Sequence, residues 1–260
     1  MAPLLEYESV EISFGRRAVV RDVRFALGAG EILGIVGESG SGKSSLLRAA
    51  LGLLGPGGAV SGGRIRFRGQ DLTALSEREL QKIRGAQIGM IFQDAGASLC
   101  PIRTIGAQIC ESLAAHGKIS RPAAREKALA LFEKLRFPDG ARIWDSYPFA
   151  LSGGQCQRAA IAAAMLPSPA VLLCDEPTSA LDVLVQKQVV EELLRLRELF
   201  GTAMILVTHD IGVARAMADT VLVLKDGRIV EMGPAVQVLN APRTDYTRRL
   251  LDAAPKLRRA

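Results

Sequence analysis

The run Gly37-Glu38-Ser39-Gly40-Ser41-Gly42-Lys43-Ser44 meets every position of the spacing G-x-x-x-x-G-K-[ST]. It directly follows the apolar stretch Ile32-Leu33-Gly34-Ile35-Val36 and precedes the helix-prone Ser45-Leu46-Leu47-Arg48-Ala49-Ala50-Leu51. This order demands a strand, a tight loop and a helix, and so commits the chain to an α/β core. Glycines let the loop aim successive N–H groups at phosphate oxygens, and the helix N-terminus that follows adds positive potential. Lys43 reaches the β/γ-phosphates and the Ser44 hydroxyl suits Mg²⁺, so the expected ligand is a nucleoside triphosphate held by residues 37 to 45, Ser45 included.

A length of 260 residues with 48% hydrophobic content can bury a sizeable core and stands at the upper limit for one domain. No apolar run approaches the ~20 residues of a membrane helix, because Pro167 interrupts the stretch Ala159 to Leu166, and Met1 to Glu6 lacks a signal-peptide pattern; a cytosolic protein is expected. Cys100, Cys110, Cys156 and Cys174 form no C-x-x-C pair and only His116 and His209 could join them, so they read as reduced thiols. The net charge of +6 suits a nucleotide, an anionic surface or a nucleic acid equally. Arg64, Arg66 and Arg68 read as a solvated strand face and Lys256, Arg258 and Arg259 as a frayed tail; no aromatics interleave them, and no nucleic-acid partner is expected.

Short strand patterns open the chain at Val10 to Phe14 and Val23 to Leu27, a small antiparallel element. Residues 52 to 63 read as a glycine-rich break before a strand from Arg64 to Arg68, and Cys110 to Lys134 as helical, with Pro122 at a helix start. The apolar strands Ala170 to Cys174 and Ala203 to Val207 flank a helix whose Val185, Val189, Leu193, Leu196 and Phe200 share one face. Apolar strands alternating with helices imply a parallel sheet covered on both sides. Val221 to Leu224, the turn Lys225-Asp226-Gly227-Arg228 and Ile229 to Glu231 read as a closing hairpin.

Asp175 and Glu176 stand at the carboxyl end of a buried strand, where ligands of open α/β sheets gather. Phosphoryl transfer depends on positioning and charge neutralisation, so a metal-holding Asp175 beside a water-orienting Glu176 is a sufficient pair. Ser152, Gly153 and Gly154 ahead of a helix offer a hydroxyl, N–H groups and a helix N-terminus, a second anion site in the same chain.

Taken in order, these residues resemble the ATP-binding subunits of ABC transporters over nearly the whole chain. Leu151-Ser152-Gly153-Gly154-Gln155 is similar to the family signature, and Asp175-Glu176 running into Ser179-Ala180-Leu181-Asp182 to the Walker B segment and D-loop. Gln93 after Met90-Ile91-Phe92 resembles the Q-loop, and His209 within Thr208-His209-Asp210 the switch histidine. Phe14 occupies the place of the adenine-stacking aromatic. The resemblance implies a P-loop NTPase core of parallel sheet with an N-terminal antiparallel β element and an inserted helical lobe, one ABC ATPase domain over 1–260. The core would cover 1–93 and 158–260 and the lobe 94–157. It implies ATP and Mg²⁺ as cofactors, with Ser44, Gln93 and Asp175 around the metal, Glu176, His209 and Gln93 in catalysis, and the signature closing over the nucleotide of a second subunit.

Within the family, Phe92-Gln93-Asp94 through Ser98-Leu99-Cys100-Pro101 and the tail Tyr246-Thr247-Arg248-Arg249-Leu250-Leu251 resemble the peptide, nickel and opine importer ATPases. Ala95 and Cys100 depart from the usual Phe-Gln-Asp-Pro and Ser-Leu-Asn-Pro, and Thr244-Asp245 stands where His-Pro is usual. The missing C-terminal cysteine-containing extension points to the shorter, nickel-type members. The expected role is an ATPase subunit powering import of peptides, nickel or a chelate- or opine-like solute, peripheral on the cytoplasmic membrane face. Integral permeases, a paralogous or identical second ATPase subunit and, indirectly, a solute-binding protein are its implied partners. The alternative is a soluble ABC ATPase of iron-sulfur assembly or DNA repair; repair members carry long coiled-coil insertions, and no sustained heptad run occurs here.

Overall fold

The computed structural model describes residues 2–94, 98–179 and 181–253. Ala95, the D-loop Ala180 and the tail basic residues Lys256, Arg258 and Arg259 lie outside the described residues. The chain divides into two compact units, Met1–Leu80 with Ala203–Ala260 and Gln81–Thr202, called here the terminal and the middle unit after their place in the sequence.

In the terminal unit, β1 (Leu5–Phe14), β2 (Arg17–Leu27), β4 (Gly58–Phe67) and β5 (Gln70–Asp71) form an antiparallel sheet in the order β2-β1-β4-β5. The expected break over 52 to 63 is half wrong, because β4 begins at Gly58. Glycine depresses strand propensity, yet pairing with β1 overrides it, with Ser13 opposite Ala59 and Ile12 opposite Val60. A bulge places Ser9 and Val10 of β1 against the single residue Gly63, and Ser9 adopts a left-handed φ of 49°. Arg66 pairs with Glu8 at 3.0 Å on the outer face while Ile65 and Phe67 are buried, so the alternating arginines form a solvated strand face.

The same unit holds β3 (Ile32–Val36), β8 (Ala203–Val207), β9 (Thr220–Lys225) and β10 (Arg228–Pro234), adjacent in the order β10-β9-β3-β8. β3 runs parallel to both neighbours and β10 closes the expected hairpin antiparallel to β9. Every residue of β3 and β8 is buried, as strands with both faces covered require. Helices α1 (Lys43–Ala50), α8 (Ile211–Met217), α9 (Ala235–Asn240) and α10 (Asp245–Ala253) complete this unit, and α2 (Glu77–Ile83) lies at the sequence boundary.

The middle unit pairs β6 (Ile88–Ile91) parallel with β7 (Val171–Asp175) and adds α3 (Ile105–Ala114), α4 (Arg121–Lys134), α5 (Gly140–Asp145), α6 (Gly153–Met165) and α7 (Val183–Phe200). The helical pattern from Cys110 to Lys134 is two helices. α3 ends at Ala114, and α4 restarts where the Ser120 hydroxyl accepts from the Ala123 N–H, with Pro122 in the first turn. On α7, Val189, Leu193 and Leu196 are buried while Val185 and Phe200 are half-buried at either end of the stripe. Among the described residues no helix is long and apolar enough to cross a membrane, and no His, Cys, Asp and Glu cluster could hold a metal ion; all four cysteines are free.

Tyr7 joins the antiparallel sheet to the helix behind the phosphate loop. Its ring stacks on Phe25 at 4.2 Å, and its hydroxyl donates to the Leu46 carbonyl at 2.8 Å. Burial pushes the phenol well above its ordinary range, so it stays a neutral donor. Tyr7→Phe leaves the shape intact but removes this hydrogen bond, and is expected to cost about 1 kcal/mol in chemical denaturation at unchanged slope.

Candidate active site

The phosphate loop bridges β3 and α1. Lys43 is buried, and its Nζ donates to the carbonyls of Gly37 at 2.9 Å and Glu38 at 2.7 Å, closing the loop on itself. Gly42 caps α1 in a left-handed conformation, φ 103°, with no side-chain cap, so the helix N-terminus faces the loop without a built-in acceptor. The Ser41 hydroxyl is buried with no hydrogen-bond partner among the described residues. A buried ammonium, an uncapped helix start and an orphaned hydroxyl converge within three residues, the donor set an anion such as a triphosphate fits.

Neighbouring strands brace the loop, and this bracing was not read from the sequence. An ideal Cβ on Gly37 would stand 2.2 Å from the Leu224 carbonyl oxygen at the end of β9, so only glycine fits. The Gly227 N–H in the hairpin turn donates to the Ser41 carbonyl at 3.1 Å, and the Gly227 carbonyl accepts from the Arg21 N–H at 2.8 Å. From α10 the Tyr246 hydroxyl accepts from the Glu38 N–H at 3.4 Å, with Lys225 Nζ 4.9 Å from its ring centroid. Glu231 on β10 positions α10 by accepting from the N–H groups of Arg243 at 2.8 Å and Thr244 at 3.1 Å.

The remaining terminal-unit candidates differ in exposure. His209 lies exposed just after β8, between Thr208, whose hydroxyl accepts from the Asp210 N–H at 3.0 Å, and Asp210, whose carboxylate caps α8. Phe14 is half-buried at the end of β1, its ring edge against Gly58. Ser39 and Gly40 are exposed at the loop tip, and Ser44 and Ser45 half-buried in the first turn of α1.

In the middle unit, Asp175 ends β7 fully buried and Glu176 follows half-buried. Burial first, and the Asp175 charge second, push the neighbouring Cys174 thiol far above its usual range, keeping it protonated and inert. Glu176 takes a left-handed φ of 48°, an unusual conformation for a side-chain-bearing residue. The strain is over-determined: Gln93 Nε2 donates to Glu176 Oε2 at 3.2 Å, and the Ser179 hydroxyl lies 3.0 Å from the Glu176 carbonyl and 3.3 Å from that of Gln93. Gln157, two residues past the signature, donates through Nε2 to the Pro177 carbonyl at 2.7 Å while buried. No sequence motif singles out Gln157.

Ser152 is the N-cap of α6, and its hydroxyl accepts from the Gln155 N–H at 3.2 Å while Gln155 Oε1 accepts from the Ser152 N–H at 3.2 Å. This capping box occupies the hydroxyl expected to face an anion, a local order set by the Ser-x-x-Gln spacing. Leu151 is half-buried ahead of it; in the D-loop Leu181 is half-buried, and Asp182 caps α7 by accepting from Leu184 and Val185 at 3.0 Å each. Gly154 has a packing reason of its own, since an ideal Cβ would stand 2.5 Å from Val185 Cγ1.

The chain matches the family described as ABC transporter over residues 20–179. It is 44% identical over 259 residues to the oligopeptide transport ATP-binding protein OppD of Bacillus subtilis, covering 98% of this chain and 72% of that protein. With the oligopeptide transport ATP-binding protein AmiE of Streptococcus pneumoniae it shares 45% identity over 239 residues, 92% of this chain and 67% of that protein. Among solved structures it superimposes with a TM-score of 0.77 and 30% identity on the ATP-binding cassette MJ0796, a dimer bound to ADP and Pi after hydrolysis, over 89% of this chain and 98% of that one.

Val185 is β-branched and stiff in a helix, so Gly154→Ala forces α6 away from α7. A double-mutant cycle of Gly154→Ala with Val185→Ala, read by thermal unfolding, should show a coupling of about 1 kcal/mol or more, whereas additive effects would mean the contact relaxes at no cost.

Proposed function

The chain belongs to the ABC transporter family, and from that premise we propose that it is the ATP-hydrolysing subunit of a peptide importer. Its core is the α/β fold of P-loop ABC cassettes, and ATP binding with hydrolysis to drive transport is the activity of such domains. The observation that carries the cargo is that 98% of this chain aligns at 44% identity with an oligopeptide transport ATP-binding protein. Both named oligopeptide relatives favour peptide over the nickel and opine alternatives.

In this reading Lys43 exchanges its two carbonyl partners for β/γ-phosphate oxygens, and the orphaned Ser41 hydroxyl gains an acceptor. Phe14 at the rim of β1 would stack on the base. Ser44 and Asp175, joined by Gln93, would hold Mg²⁺, for which hydroxyl, carboxylate and amide oxygens are the matching donors. When bound, the ion neutralises charge shared by the β- and γ-phosphates. Glu176 orients and deprotonates the attacking water, with its carboxylate held by Gln93; His209 contacts the γ-phosphate side. The signature, Leu151 to Gln155, and the D-loop, Ser179 to Asp182, face the nucleotide of a second ATPase subunit, identical or paralogous.

The lobe over 94–157 is proposed to dock on integral permeases at the cytoplasmic membrane face, with a solute-binding protein delivering cargo. Support comes from three exposed apolar side chains: Ile102, 82% exposed, and the stacked pair Tyr147 and Phe149 with ring centroids 5.4 Å apart. Their two segments meet where the Ile105 N–H donates to the Ser146 carbonyl at 2.9 Å. Arg103, beside Ile102, is engaged with Glu111.

Glu176→Gln should retain ATP affinity and lower steady-state turnover by ~10²-fold or more, whereas Lys43→Ala should weaken ATP binding itself in calorimetry. Turnover within about threefold of wild type for the first, or unchanged affinity for the second, would remove these residues from the mechanism. Ile102→Asp, an exposed change costing under ~0.5 kcal/mol, should leave folding and ATP affinity intact but reduce recovery of the permease complex and peptide uptake in reconstituted vesicles. Unchanged complex yield and uptake would exclude this surface from coupling.

A further inference from the structure

Arg158 and Glu192 form a largely buried ion pair inside the middle unit. Arg158 Nε donates to Glu192 Oε2 at 2.7 Å, with side chains 15% and 3% exposed. The same guanidinium donates through Nη2 to the Leu135 carbonyl at 2.7 Å and lies 4.3 Å from the Phe137 ring centroid. One side chain thus ties α6 to α7 and to the turn that ends α4.

Hydrophobic packing alone does not account for this choice. A buried ion pair adds little net stability over apolar side chains of the same volume, because desolvation offsets the attraction. The orientation of a guanidinium fork is what such a pair adds. Glu192 also carries a visible cost, since its Oε1 is buried without a hydrogen-bond partner among the described residues.

Two of the contacts between α6 and α7 are Gly154 against Val185 and Arg158 against Glu192. They are separated by about one turn on α6 and about two on α7, enough to set both the crossing angle and the rotation of α6 about its axis. The signature occupies the N-terminal end of α6, and the D-loop ends at the cap of α7.

We infer that the Arg158–Glu192 pair is a positioning device that sets the orientation of α6, and so the presentation of Ser152, Gly153 and Gly154 to the nucleotide of the second subunit. The inference rests on reading the signature as that half-site.

A pH signature separates this role from simple packing. Burial pushes Glu192 up to about 7, against the lowering influence of Arg158 from α6 and Arg195 on its own helix; Arg136, from the turn after α4, and Glu191 line the same cleft. Protonation on acidification removes the charge that holds Arg158, so positioning weakens as pH falls through about 7. Stability moves the other way. A carboxyl raised in the folded state takes up its proton more readily folded than unfolded, so its contribution is greatest below the ordinary carboxyl range and is lost as pH rises through about 7.

The experiment compares wild type, Glu192→Leu, Glu192→Gln and Ser152→Arg in the assembled transporter, reading kcat and KM for ATP between about pH 6 and 8.5. The melting temperature and ATP affinity of each isolated chain are measured in parallel. Expected for Glu192→Leu are an ATP affinity within about twofold of wild type, a melting temperature lowered because Arg158 loses its charge partner, and a kcat lowered at least ~5-fold that no longer falls on acidification near pH 7. Glu192→Gln keeps an acceptor for Nε and should give an intermediate kcat with the same flat profile; it carries the test if the leucine variant does not fold. Wild-type kcat and pH dependence in a folded Glu192 variant, with Ser152→Arg inactive, would overturn the inference alone. Full activity of Ser152→Arg would overturn the signature reading and the inference with it.

Discussion

The ammonium of Lys43, buried against the carbonyls of Gly37 and Glu38, sets the terms for the terminal unit. A buried cation is tolerated only where oxygen acceptors surround it, and backbone carbonyls can converge on it only if the loop backbone is folded sharply and held there. The surrounding elements supply that hold: β9 abuts Gly37, the hairpin turn donates to Ser41, and Tyr246 accepts from Glu38. The antiparallel sheet contributes through Tyr7, which anchors the helix carrying the lysine. The loop is therefore pre-shaped, and a phosphate chain has only to replace carbonyl and uncapped N–H interactions.

In the middle unit the corresponding constraint is a strained acid. Glu176 adopts a left-handed backbone conformation that its own chemistry does not favour, and it stays there because Gln93, Ser179 and, through Pro177, Gln157 hold the turn from several sides. Backbone strain and an amide donor together fix the direction of this carboxylate. Gln157 makes the acid-bearing turn and the signature helix parts of one bonded assembly.

Several side chains that look like ligand groups in a one-dimensional reading carry structural duties as well. Ser152 and Gln155 satisfy each other in a capping box, Asp182 and Asp210 cap the helices that follow them, and Gly154 is required by the proximity of Val185. Helix N-termini need such caps whether or not an anion binds, so the same residues start the helix and shape the site.

The phosphate loop, the acid pair after β7, the buried parallel strands and the closing hairpin were legible in the sequence because each depends on local spacing: glycines and lysine over eight positions, apolar runs of strand length, turn residues between them. The family resemblance extended this to Gln93, His209 and the signature. Tertiary structure alone decided what braces these parts. That β4 begins at Gly58 follows from pairing with β1, which outweighs the propensity of its glycines. The contacts of Tyr246 with Glu38, Gln157 with Pro177 and Arg158 with Glu192 join residues 208, 20 and 34 positions apart. No local pattern encodes such pairs, because a side chain's partner is chosen by how the chain closes on itself, and the cost of burying a polar group is visible only once the residues that surround it are in place.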